Sequence, residues 1–95
     1  MITTLILLIE DNKADEELLK RVLSKQLKSF EIECVDNETD YISALQQKQY
    51  DIIISDYLLP TYNGMSALKY RNTNFPLLPF IIEPAHLTKP LPWNA

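Results

Sequence analysis

Along the chain the spacing of apolar positions switches repeatedly between two periods, and each switch marks an element. The run Leu5-Ile6-Leu7-Leu8-Ile9 is apolar throughout, which fits a strand covered on both faces, as in a parallel sheet. From Ala14 onward Leu18, Leu19, Val22, Leu23 and Leu27 follow helical spacing, which predicts a helix from about Lys13 to Lys28. Phe30-Glu31-Ile32-Glu33-Cys34-Val35 mostly alternates and predicts a half-exposed strand near a sheet edge. Asn37 or Thr39 then caps a second helix that turns Tyr41, Ile42, Ala44 and Leu45 inward and stops near Lys48. Asp51-Ile52-Ile53-Ile54-Ser55 is again a continuous run, ending at Asp56, and its β-branched residues predict a central strand. After the turn residues Pro60, Asn63 and Gly64, a short helix carries Met65, Leu68 and Lys69 and fades near Asn72-Thr73-Asn74. A fourth strand is expected from Leu77 to Ile82, with Pro79 biasing it toward an edge. Strands and helices therefore alternate, the order of an α/β domain with right-handed crossovers.

A chain of 95 residues has room for one core. Its 46% hydrophobic and 23% charged content excludes wholesale disorder. Thirteen acids against nine bases give a net charge of −4 with no Lys/Arg cluster, so no nucleic-acid surface is signalled. The longest apolar run is too short to span a membrane, and Met1-Ile2-Thr3-Thr4 lacks the basic start of a secretory signal. A cytoplasmic location is expected. Cys34 is the single cysteine, and no acid, Cys or His stands at ligand spacing from His86, so a bound metal would rest on oxygens. Cys34 itself reads as a small hydrophobe on an edge strand.

Such oxygens gather at the strand ends. Glu10 and Asp11 follow the first strand and Asp56 follows the third, at the carboxyl edge where open α/β sheets bind ligands. Adjacent strands would bring these three carboxylates within a few ångströms, where mutual repulsion favours a divalent cation; Mg²⁺ is the natural candidate. Beside a metal that neutralises phosphate charge, Asp56 is able to accept a phosphoryl group as an acyl phosphate.

The runs Leu7-Leu8-Ile9-Glu10-Asp11-Asn12 and Asp51 to Pro60, with Gly64-Met65, resemble the receiver domain of two-component response regulators. Pro60, four residues after Asp56, and Gly64, eight after it, fall where that family has them. The resemblance covers residues 3 to 82 and implies a flavodoxin-like, doubly wound parallel sheet of order 2-1-3-4 with three helices and no fifth βα unit. It implies that Asp56 is the phospho-acceptor and that Asp11, Asp56 and the backbone carbonyl of Leu58 ligate Mg²⁺, with Glu10 acting mainly through metal-bound water. The donor would be a phosphohistidine on a sensor histidine kinase or phosphotransfer protein, and the domain would be phosphorylated rather than turn over a substrate.

The pattern breaks after residue 82. Where the family has a Ser or Thr, this chain has Glu83 followed by Pro84, and Lys89-Pro90 arrives without the preceding helix and strand. Thr88 and Lys89 stand as the nearest substitutes. Residues 1–82 thus read as a truncated receiver and 83–95 as an irregular, proline-rich tail. A reading-frame change near Glu83 is another account of that break. Loss of the last helices is expected to bare the apolar back of the first and third strands, leave the fourth as an open edge, and drive self-association. The alternative function is a pseudo-receiver or interaction module that binds partners without phosphorylation. A phosphohydrolase is disfavoured, because Leu58 stands where that class needs a second acid.

Overall fold

The all-apolar first run becomes the middle of a sheet. In the computed structural model, residues 3–56 and 64–83 are described, except for the side chains of Asp56 and Glu83. Strand β1 (Thr4–Ile9) pairs in parallel with β2 (Phe30–Val35) on one side and β3 (Ile52–Asp56) on the other. Strand β4 (Phe80–Glu83) adds in parallel beyond β3, giving the order β2-β1-β3-β4. Helices α1 (Lys13–Gln26), α2 (Glu38–Gln47) and α3 (Gly64–Asn74) form the crossovers.

Both faces of the sheet are covered, which is why β1 reads as a continuous apolar run. Leu7, Ile9 and Ile53 pack with Tyr41, Ala44 and Leu45 of α2 and Ala67 of α3. On the opposite face Ile6, Leu8 and Ile54 pack with Leu19 of α1. One helix on one face and two on the other make the sheet doubly wound, as expected.

Three boundaries and one packing expectation are corrected. Helix α1 stops at Gln26, short of Lys28, because Leu27 turns extended while its N–H still donates to the Leu23 carbonyl. Strand β3 begins at Ile52, one residue after Asp51, although Asp51 is tied to β1 twice. Its N–H donates to the Leu5 carbonyl at 2.8 Å, and its Oδ2 accepts the Leu5 N–H at 2.7 Å. Strand β4 begins at Phe80 rather than Leu77. Pro79 stays outside the strand and contributes only its carbonyl, which accepts the Ile53 N–H at 2.9 Å, while Leu77 is 94% exposed. The backs of β1 and β3 are not bare: Ile6 and Leu8 are 1% exposed and Ile54 7%. The exposure falls instead on β4, where Ile81 is 49% accessible. The Pro-rich tail, with His86, Thr88, Lys89 and Trp93, lies outside the described residues.

Candidate functional site

Parallel strands in register end at one level, so each strand's next residue shares a row with its neighbours'. Ile9 is level with Val35 on one side and Ser55 on the other, and Ser55 is level with Ile82. One step further stand Asp36, Glu10, Asp56 and Glu83. Every strand therefore delivers an acid to the carboxyl edge. Asp56 and Glu83 are direct register partners, on adjacent strands about 4.8 Å apart. The sequence placed Glu10, Asp11 and Asp56 here; it did not include Asp36, whose position depends on the β1–β2 register.

Glu10 is the most firmly held of these acids. It is 4% exposed. Its backbone N–H donates to the Val35 carbonyl at 2.9 Å, which extends the ladder past Ile9. Its Oε2 accepts the N–H groups of Asp11 and Asn12, each at 3.1 Å. Its carbonyl accepts the Cys34 thiol at 3.3 Å. A buried carboxylate is tolerable only with such donors. Cys34, expected to be merely a small hydrophobe, thus also secures the Glu10 backbone. Burial pushes its thiol up to about 12, and the nearby carboxylates of Glu16 and Glu10 add to the rise.

Asp11 stands next to Glu10 with its side chain exposed. Asn12 begins α1: its side chain accepts the Asp15 N–H at 3.1 Å, and Glu16 N–H donates to its carbonyl. The positive end of the α1 dipole therefore lies beside Glu10 and Asp11, where it favours anions. A cleft of about 470 Å³ opens here, lined by Glu10, Asp11, Glu16, Cys34, Asp36 and Asp40 among others. A larger groove of about 670 Å³ lies near the other end of the sheet and is lined by Leu45, Tyr50, Phe75 and Leu78, away from these acids.

The donor set fits a hard cation in kind: carboxylate oxygens at the edge of a parallel sheet, with a helix N-terminus beside them. Among the described side chains no three potential ligands gather closely enough to hold a metal, so Glu10 and Asp11 supply only part of a donor set. Asp56 is described by its backbone alone, at the end of β3. Leu58, Pro60, Thr88 and Lys89 lie outside the described residues.

A four-stranded 2-1-3-4 parallel sheet with acids after its first and third strands is the arrangement of a receiver. The chain matches the response regulator receiver domain family over residues 6–92, and it belongs to that family. The match runs past Glu83, into the segment read above as a tail. Among curated proteins, the chain is 42% identical over 65 residues to "Probable histidine kinase 1" of Oryza sativa subsp. indica, a stretch of 68% of this chain and 6% of that protein. It is 28% identical over 78 residues to the DNA-binding transcriptional regulator NtrC of Proteus hauseri, covering 82% of this chain and 16% of the regulator. The chain thus spans only a small part of these relatives. Among solved structures, a response regulator from Hahella chejuensis superposes with a TM-score of 0.73 at 32% identity, over 83% of this chain and 61% of that one. The chemotaxis regulator CheY4 of Vibrio cholerae gives 0.73 at 18% identity, over 85% and 68%, a likeness of fold.

Proposed function

We propose that this chain is the phospho-acceptor receiver of a two-component phosphorelay, taking a phosphoryl group onto Asp56 in the cytoplasm. The observation that carries this reading is the register, which sets Asp56 at the end of β3 beside β1, from which Glu10 and Asp11 follow. That place is the switch point of the sheet: the crossover after β1 runs over one face and that after β3 over the other. Relatives named as a probable histidine kinase and a DNA-binding transcriptional regulator support a kinase or phosphotransfer protein as donor.

In the proposed step a carboxylate oxygen of Asp56 attacks the phosphorus of a phosphohistidine. The new P–O bond forms as the P–N bond breaks, and the departing imidazole nitrogen takes up a proton. Asp11, Asp56 and the Leu58 carbonyl would hold Mg²⁺, with Glu10 reaching it through water. A solved receiver domain of a Pseudomonas aeruginosa sensor histidine kinase carries a magnesium ion in its active-site cleft. When bound, the ion supplies charge neutralisation for the phosphate oxygens. The chain's own contribution is a rigid anchor: Glu10, fixed by two amides and a thiol, keeps the acids at one level without rearrangement.

Intact-mass spectrometry after incubation with acetyl phosphate and Mg²⁺, with Asp56→Asn as control, tests the reading. A gain of one phosphoryl group in the native chain that is absent from the control is expected. An equal gain in both would overturn Asp56 as the acceptor.

A further inference from the structure

The turn before β4 holds an apolar side chain in water beside an apolar groove. Leu77 is 94% exposed. Phe75 and Leu78, which flank it, are half-buried against the core. With Leu45 and Tyr50 they line the groove of about 670 Å³ near the amino end of the sheet. We propose that this face docks a second copy of the chain about a twofold axis, with Leu77 of each copy entering the groove of the other.

The backbone imposes the exposure. The Leu78 N–H donates to the Phe75 carbonyl at 3.1 Å, closing a turn with Pro76 and Leu77 at its centre. The Pro76 ring fixes one backbone angle of that turn, and Arg71 donates from Nε to the Leu78 carbonyl. Leu77 thus stands on a rigid support, so docking it costs little chain freedom. A large apolar side chain left in water gains by entering an apolar recess. Knob and recess adjoin on one face, the self-complementary condition of a twofold interface.

Charge favours a second copy over a strongly acidic or basic partner. The chain carries a net charge of −4, so two copies repel over much of their approach. Among the described residues that line the groove, one base, Lys48, stands with one acid, Asp51. The other exposed polar members are Gln46, Gln47 and Gln49, whose amides both donate and accept and so pair with their own kind. This face is neutral, and the acids at the carboxyl edge lie at the far end of the sheet, so copies that meet here meet with the least repulsion. Ile81 of β4, 49% exposed, follows Leu77 by four residues, about 13 Å of extended chain, which is inside the width of a protein interface. The docking leaves the carboxyl edge of both copies open and does not depend on the acceptor reading.

Sedimentation velocity over a micromolar dilution series compares the native chain with Leu77→Asp. The side chain is exposed, so the fold is expected to survive the substitution, as circular dichroism will show. Each dimer loses two leucine contacts, and the dissociation constant is expected to rise about a hundredfold. Hydrogen exchange on the native chain locates the face. Amides of residues 46–51 and 75–78 are expected to slow as concentration rises, while those of residues 11–15 do not change. A native chain that is monomeric throughout overturns the proposal, as does a dimer that withstands Leu77→Asp. Protection of residues 75–78 that is the same at every concentration marks an occupant other than a second copy and also overturns it.

Discussion

Tyr41 buries a hydroxyl along with its ring, and the hydroxyl donates to the Ala67 carbonyl at 2.8 Å. That bond ties α2 to α3 beneath an edge-on contact with Tyr70, whose ring centroid lies 5.8 Å away. Tyr41→Phe keeps the ring and loses the bond, and is expected to cost about 1–2 kcal/mol in urea denaturation. An unchanged midpoint would show that the bond contributes nothing net. Cys34 offers a second test, with the sign fixed by its raised thiol. From pH 9.0, the ordinary thiol value, up to about 12, the unfolded chain sheds a proton that the folded chain keeps. Stability is therefore intact below that window and falls as pH rises through it. Burial, and then the Glu33 carboxylate, raise the Tyr50 phenol as well, which steepens the alkaline loss. Urea midpoints across pH 8–11 are expected to decline less steeply in Cys34→Ala, and an identical slope would remove Cys34 as a cause. At this scale the places of Glu10 and Asp56 at strand ends were legible, because Glu10 directly follows an apolar run and Asp56 follows one after a single serine. The Cys34 bond to the Glu10 carbonyl was not, since it depends on which residues two separate strands bring level.

The starts of α1 and α2 are written locally. Asn37 caps α2 with its side-chain oxygen on the Asp40 N–H at 2.9 Å, as Asn12 caps α1 on Asp15. Asn37→Ala is expected to cost about 1 kcal/mol, read as a lower melting temperature, and a loss of only a few tenths would mean that water replaces the cap. The start of α1 was readable from its apolar spacing alone, and the α2 cap was narrowed to Asn37 or Thr39, of which the structure takes Asn37. Strand ends were harder. Leu77 carried the apolar pattern but belongs to the turn before β4, where the Leu78 N–H donates to the Phe75 carbonyl. Arg71 reinforces that turn by donating from Nε to the Leu78 carbonyl. Those bonds hold the backbone in a turn, which outweighs the apolar side chains' preference for a strand.

For the molecule as a whole, the alternation of periods sufficed for class and topology, because a continuous apolar strand can be satisfied only between two helical layers. What the pattern did not contain was how far α1 reaches: it shields the backs of β1 and β3, and the exposure falls on Ile81 and Leu77 instead. Apolar side chains at the outermost described strand favour contact between copies. Sedimentation velocity at micromolar concentration is expected to find dimers or larger species, which Ile81→Lys disperses. A native chain that stays monomeric would refute this.

The central position of β1 has a kinetic consequence. Its amides are bonded into ladders shared with β2 and β3, and Ile6 to Ile9 are no more than 1% exposed. Fraying of β2 or β4 at the margins leaves those four residues still covered by helices on both sides. Their hydrogens can trade with deuterium only when the entire molecule opens, so the exchange rate of this one strand is a gauge of global stability.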